Sequence, residues 1–404
     1  MRTTLDDVCK SIADGDQPAP PKSADGIPFI TISCLDSDGG QPDYAAAARV
    51  PLSYYDSLPD NRRAQPGDVL LSVVGSLGIP YLVKREDKFV FQRHIAILRP
   101  GKDLLPEYLY YLLKSPDSFH YIDSVAQGAA QRTFTLTQLR GMEVDIPSLD
   151  EQRRTVAALE PYDQLIENNR KQISLLEEAT QRLYKEWFVD LRFPGHEDAE
   201  IVDGVPNGWR VATIREVCKK IQSGGTPSRK KQNYWNPPIV KWFKTGELRD
   251  CWLIEPEERI SEEGLNGSAA KLFEPGTIVM AIYASPTLGR LGILDCEAAF
   301  NQAMLGFIVD ENVVTCEWLY WKLYELRTEF NMIARGAGQQ NISAEIVKSY
   351  EIVLPTYEVI DAFTNAVGAM SKRRLVLQRQ IIELTEARDR LLPKLMSGEI
   401  EGEG

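Results

Sequence analysis

GAGQQNIS, residues 336–343, has a near-copy at 128–135, GAAQRTFT, 208 positions earlier. Gly opens both, Gln is fourth in both, and a hydroxyl residue closes both. The likeness extends outward in both directions. PGDVLLSVVGS (66–76) parallels PGTIVMAIYAS (275–285), FQRHIAIL (91–98) parallels FNQAMLGF (300–307), and PEYLYYL (106–112) parallels CEWLYWK (316–322). Further on, VDIP (144–147) parallels IVLP (352–355), and EEATQRL (177–183) parallels TEARDRL (385–391). The offset stays between 208 and 210. Chance similarity does not keep register over such a length, so the chain is two tandem copies of one unit. The period is too long for a solenoid; each copy is a domain with something attached.

The attachment reads as a helix. From Glu151 to Phe188, Val156, Leu159, Ile166, Ile173, Leu176, Leu183 and Trp187 recur mostly at spacings of three, four or seven, with charged and amide residues between them. Pro161 is expected to kink or restart this helix. The second copy runs from about Val359 to Met396, with Leu377, Ile381, Leu384, Leu391, Leu392 and Leu395. Pro393 is expected to bend or end it. Before each helix, GDVLLSVV, FVF (89–91), IAILRP (95–100), GTIVMAIY and IVLP are short apolar runs set off by Pro and Gly, the pattern of strands.

A long amphipathic helix must bury its stripe, and the matching stripe is the other helix. Each helix leaves its own domain, so the two must run antiparallel. The predicted fold is α+β: two mixed α/β domains joined by two long antiparallel coiled-coil helices, a pseudo-two-fold internal repeat. At ~1.5 Å per residue such a spacer is about 50 Å long, on the order of 15 base pairs. The expected divisions are 1–150 and 209–355 for the domains, 151–190 and 356–398 for the helices, 191–208 for a linker and 399–404 for a tail.

The chain has 404 residues and 43% hydrophobic content, ample for two or three cores. No apolar run reaches the ~18 residues of a membrane span, and MRTTLDDVCK lacks the apolar stretch of a signal peptide. A cytoplasmic protein is expected, with no membrane partner. Cys9, Cys34, Cys218, Cys251, Cys296 and Cys316 form no CxxC pair, and His94, His120 and His196 lie far apart. Neither a metal site nor a disulfide framework is expected. The net charge of −12 argues weakly against nucleic acid, but an acidic chain can carry a basic face.

IPSLDEQRRTVAALEPYDQLIENN (146–169), LYKEWFVDLRFPGHE (183–197), NGWRVATIREVC (207–218), SGGTPSR (223–229), GAGQQNIS (336–343) and LLPKLMSGEI (391–400) together resemble the specificity subunit of Type I restriction–modification enzymes. The resemblance covers essentially the whole chain. It implies a target-recognition domain, a spacer helix, a second target-recognition domain and a second spacer helix, with one half of a bipartite, asymmetric double-stranded DNA site read by each domain. It also implies two methyltransferase subunits docked on the helices, and restriction subunits that can join. Adenine-N6 methylation with S-adenosylmethionine, and cleavage with ATP and Mg, would belong to those partners. This chain would be non-catalytic and bind no cofactor itself. The second helix begins TYEVIDAF where the first has LDEQRRTV, a departure that bears on docking there.

The residues agree with a non-enzyme. NPPI (236–239) resembles the adenine-gripping motif of N6-methyltransferases, but Ile239 stands where an aromatic belongs, and no Gly-rich strand–turn–helix precedes it. It reads as a Pro-punctuated turn into a strand. There is no GxxxxGK[ST] phosphate loop and no legible Ser/His/Asp arrangement.

For DNA reading, the chemistry needed is Arg, Lys, Asn and Gln at base edges, with cations, hydroxyls and amides on phosphate. Positions shared by both copies should serve scaffold or phosphate: Gly128 with Gly336, and Gln131 with Gln339. Positions that differ should tell two half-sites apart: Arg132 against Gln340, Thr133 against Asn341, and Gln92-Arg93 against Asn301-Gln302. Arg93, Arg132, Gln302, Gln340 and Asn341 are expected to include base readers. Alternatively, Thr135 and Ser343 cap helices and these loops only build turns. CKKIQSGGTPSRKKQNYW (218–235) is the densest cationic stretch. Lys219, Lys220, Thr226, Ser228, Arg229, Lys230 and Lys231 are expected on phosphate. Leu183, Tyr184, Trp187 and Phe188 exceed what one helix seam needs and are expected to bind a partner. A stand-alone two-headed DNA-binding regulator is the competing reading, and a scaffold without DNA contact is a third.

Overall fold

The computed structural model describes residues 2–15, 20–35, 42–44, 47–84, 88–128, 132–202, 204–283, 287–336 and 341–400. The chain divides into two units: Met1–Asn168 with Ile381–Gly404, and Asn169–Gln380.

In the first unit, four short strands form a sheet in the order Cys9–Asp14, Ile95–Pro100, Val69–Ser72, Pro80–Leu82, all antiparallel. The apolar runs around Val69–Ser72 and Ile95–Pro100 are continuous rather than alternating because the sheet is covered on both faces. One face packs on the helix Pro106–Lys114 and on Phe134 and Leu139; the other packs on Ile30, Phe89 and Phe91. A second sheet, Ala48–Val50, Ile27–Ile30, Val90–Phe91, contains the parallel pair Phe29–Val90 and Ile30–Phe91.

The second unit repeats this element by element. Its main sheet runs Cys218–Ser223, Met304–Val309, Ile278–Ala281, Leu291–Leu294. Its small sheet runs Glu258–Ile260, Val240–Phe243, Ala299–Phe300. Even the irregularity repeats: the edge strand slips register between Cys9 and Ser11 in one unit and between Cys218 and Lys220 in the other. The main sheet of the second unit carries one further strand without a counterpart among the described residues in that of the first, Cys251–Leu253, which pairs in parallel with Leu291–Leu294.

The two long helices are Leu149–Tyr184 and Tyr357–Met396. Ser148 and Glu151 close a capping box at the start of the first: the Ser148 amide donates to Glu151 Oε2 (2.8 Å) and the Glu151 amide to Ser148 Oγ (3.4 Å). Pro161 neither breaks nor restarts it, since the turns on both sides hold the backbone through the one missing amide. Pro393 does not end the second helix, which continues to Met396. The first helix is followed by one π-helical turn, Lys185–Val189.

Within each unit the helix segments run antiparallel. In the first, Arg388 Nη1 donates to Asp163 Oδ1 at 2.6 Å, and Leu159 shares a core with Leu392 and Leu395. In the second, Asn169 donates to Gln380 (3.3 Å), Thr180 Oγ1 to Met370 Sδ (3.6 Å), and the Tyr184 and Phe363 rings stand 5.8 Å apart, so numbers rise on one helix as they fall on the other. Buried or half-buried positions recur every seven residues: Gln152, Leu159, Ile166, Ile173 and Thr180 on the first helix with Trp187 in the turn that follows it, and Ile360, Val367, Arg374, Ile381, Arg388 and Leu395 on the second. That is the seven-residue spacing of a coiled coil, used at the ends of the series to seat the helices on the domains.

One expectation fails here. Tyr184 and Trp187 are 3% and 8% exposed, with Leu183 and Phe188 partly buried, all packed in the second unit's own core against Trp209, Trp318 and Phe363. Leu392 and Leu395, 208 positions on, fill the same places in the first unit. The apolar excess therefore seats the helix on a domain and does not form an exposed partner surface.

Candidate nucleic-acid interface

In each unit, three sequence-distant turns are laced side by side by backbone hydrogen bonds. In the first, the Val73 amide donates to the His94 carbonyl (2.8 Å), and the Phe134 amide donates to the Val73 carbonyl (2.8 Å). In the second, Ile282 donates to Ala303 (2.9 Å), and Ile342 donates to Ile282 (3.0 Å). Bridges Val74–Thr133 and Tyr283–Asn341 extend the pairing. The segment after the central strand thus separates the 92–93 turn from the 132–133 loop, and the 301–302 turn from the loop at Asn341.

A fourth segment joins through glycine. A Cβ on Gly15 would lie 2.3 Å from the Phe91 carbonyl oxygen, and one on Gly224 would lie 2.1 Å from that of Phe300. No other residue permits this approach. In the second unit it delivers the Gly-Gly-Thr-Pro turn to the 301–302 turn, where Thr226 Oγ1 hydrogen-bonds Gln302 Oε1.

Among the residues expected to contact DNA, the base reader Gln340 and the shared-position pair Gln131 and Gln339 lie outside the described residues. Arg93 is exposed and has no ion-pair or hydrogen-bond partner among the described residues. Beside it, burial and then the Arg93 charge hold the His94 imidazole below its ordinary range. Gln92 is half-buried; its amide donates to the Ile30 carbonyl (2.9 Å). Arg132 is folded back on Asp123, contacting both its carboxylate and its carbonyl. Asn301 carries a structural duty: its Oδ1 accepts from the Ala303 amide and the Thr245 hydroxyl, both at 3.0 Å. Thr135 and Ser343 are N-caps, receiving the Gln138 amide at 3.3 Å and the Ile346 amide at 3.2 Å. Capping and loop presentation coexist, because the cap sits two residues beyond each bridge.

The cationic stretch divides in two. Lys219, Lys220 and Lys230 are exposed and make no ion pair among the described residues. Lys231 is engaged: its Nζ donates to Tyr234 Oη at 2.8 Å. Arg229 is clamped. Its guanidinium lies 3.6 Å from the Trp235 ring centre, and it pairs end-on with Glu258, with Nη2–Oε1 at 3.1 Å. Ser228 is exposed, and its carbonyl accepts from Trp235 Nε1 at 3.2 Å. The Glu258 partner was invisible in sequence, lying on a strand 29 residues away. NPPI is a turn leading into the strand Val240–Phe243. No group of His, Cys, Asp and Glu among the described residues could hold a metal ion, and no helix there is long and apolar enough to cross a membrane.

The chain is similar to known proteins. The chain is 24% identical over 343 residues to the Type I restriction enzyme MjaIX specificity subunit of Methanocaldococcus jannaschii, covering 83% of this chain and 78% of that one. It is 24% identical over 403 residues to the HindI specificity subunit of Haemophilus influenzae, covering 83% and 86%. The crystal structure of a Type I restriction–modification S subunit from M. genitalium superposes with a TM-score of 0.56 at 16% identity, over 98% of this chain and 95% of that one. The family model for the Type I restriction modification DNA specificity domain matches twice, at residues 2–178 and 206–383, and the chain belongs to that family.

Proposed function

We propose that this chain is the DNA-sequence specificity subunit of a Type I restriction–modification complex. Each domain reads one half of a bipartite, asymmetric site, and the helix pair fixes the spacing between the halves. The observation that carries the reading is the duplicated edge: two copies place the same three turns side by side, with identical backbone lacing and different polar side chains. Identical lacing presents both loops alike; different side chains suit two different half-sites. Lys219, Lys220 and Lys230 supply phosphate contacts.

The chain itself performs no chemistry. Methylation falls to two methyltransferase subunits that bring S-adenosylmethionine, and cleavage to restriction subunits that use ATP and Mg. With Tyr184 and Trp187 occupied internally, docking falls to the outer surface of the helices, where Leu165 and Leu175 are exposed.

The test is a map of N6-methyladenine across the host genome with and without the gene. A two-part motif that vanishes on deletion, together with co-purification of methyltransferase subunits, is the expected result. An unchanged methylome and a chain that purifies alone would return the stand-alone regulator to the front.

A further inference from the structure

The clamp on Arg229 is more than a phosphate contact needs. Phosphate recognition in a basic stretch asks only for mobile positive charge, which Lys219, Lys220 and Lys230 provide. Arg229 is instead held in plane and in direction. Trp235 lies under its face, 3.6 Å from the guanidinium carbon to the ring centre. Trp235 itself stands edge-on at 5.2 Å to Trp242, which is 2% exposed and tied by Nε1 to the Gly225 carbonyl at 3.0 Å. The stack is therefore founded on the core, and Trp235 Nε1 reaches back to the Ser228 carbonyl beside the arginine.

Glu258 fixes the remaining rotation. Its Oε2 and Oε1 take Nη1 and Nη2, so the pairing is end-on. Glu258 is held in turn by Lys244, with Nζ–Oε1 at 3.1 Å. An end-on pair uses one N–H from each terminal nitrogen. The Nε–H and the outer N–H groups are left, a fork matching two acceptors side by side. The carboxylate also cancels much of the net charge, which is counterproductive for a phosphate contact and harmless for a base contact.

We propose that Arg229 is a base-reading residue of the second domain, directed at the O6 and N7 edge of a guanine, with Trp235 and Glu258 as its positioning residues. Guanine is the base whose major-groove edge offers two adjacent acceptors to one guanidinium. This inference rests on the specificity-subunit reading and names a determinant within it.

The experiment uses the intact complex with its methyltransferase subunits, reconstituted with wild-type chain, Arg229→Lys or Glu258→Gln. It reads the methylated motif, and also binding to the cognate site against salt. With Arg229→Lys, one position of the second half-site loses its guanine preference by on the order of tenfold or more, while the first half-site keeps its sequence. With Glu258→Gln, the same position relaxes in part while binding to unrelated DNA stays level or rises, because a negative charge has gone. An unaltered motif in Arg229→Lys, with or without a change in salt slope, overturns the proposal and leaves the specificity role standing. If the wild-type complex yields no two-part motif, the specificity reading falls and takes this one with it.

Discussion

At heptad positions 208 residues apart, the first helix carries Ile166 and Thr180 where the second carries Arg374 and Arg388. All four are buried. Burial is thus duplicated faithfully and chemistry is not, and each unit answers its arginine differently. In the first, Arg388 meets Asp163 at 2.6 Å, and Tyr111 Oη donates to the same carboxylate at 2.7 Å. In the second, Arg374 pairs with Glu177 and also donates to the Asp250 carbonyl at 3.3 Å, with Tyr320 Oη on that carbonyl at 2.9 Å. Asp250 reaches this place by adopting a left-handed backbone (φ 61) at the head of the extra strand, and its carboxylate is held by Arg327. A charge at an inward heptad position costs stability and specifies register. The difference teaches that the repeat preserves a scaffold on which polar inserts were placed independently.

The aromatic anchor sharpens that comparison most. Trp187 and Leu395 occupy equivalent places in the two units. Trp187→Ala should lower the second unit's stability by about 3–5 kcal/mol, and Leu395→Ala the first unit's by about 2–5 kcal/mol. Native-state hydrogen exchange resolves the units. Each loss should be confined to the unit that houses the side chain; a loss shared equally by both would show that the units do not keep separate cores.

The arginines come next. Arg388→Ala removes the partner of a carboxylate inside the seam and should cost about 3 kcal/mol. Arg374→Ala should cost less, about 1–2 kcal/mol, because Glu177 is about a third exposed and water screens it. The second cost should also depend on pH. Burial holds the Glu177 carboxyl above its ordinary range, with Arg374 pulling the other way. Without Arg374 the folded-state value rises further above the unfolded one. Stability that depends on protonated Glu177 is present in acid and lost as pH rises through the raised value. Denaturant titrations should therefore show the Arg374→Ala penalty shrinking as pH falls through the carboxylate range. A penalty independent of pH would mean that the Asp250 carbonyl, not Glu177, is the partner that matters.

Much of this was legible in the sequence, because the repeat constrains it. Strands around Val69–Ser72, Ile95–Pro100 and Ile278–Ala281, both long helices and both N-caps follow from local pattern. What stayed hidden depends on partners far away in sequence. Trp187 read as surplus because Phe363, against which it packs at 5.9 Å, lies 176 residues downstream. Cys251–Leu253 is three residues long and pairs with a strand some forty positions later, so no periodicity marks it. Arg374 and Arg388 look like solvent-facing residues to any hydrophobic pattern. At the candidate interface, the turns were legible as loops, but Glu258 as the partner of Arg229 was not. Nor was Asn301's use of its own side chain to hold its turn.

The subtlest contrast lies where the helices begin, at the departure between LDEQRRTV and TYEVIDAF. Gln152 is buried and fully employed: Oε1 accepts from the Leu105 amide at 2.8 Å, and Nε2 donates to the carbonyls of Asp103 (2.9 Å) and Pro147 (3.0 Å). Its counterpart Ile360 is equally buried and apolar. In its place a hydroxyl pair, Thr315 and Thr364 at 2.6 Å, ties the second helix to the start of Cys316–Glu325. Gln152→Ile imports the second unit's solution into the first. It should cost about 1–3 kcal/mol, because it strands the Leu105 amide without adding the hydroxyl pair. Ile360→Gln should also destabilise, by exposing an amide to a core with no matched donors and acceptors. If instead either swap were neutral by thermal unfolding, the two helix starts would be interchangeable. The polar wiring at 152 would then belong to what docks on the helix, not to the fold.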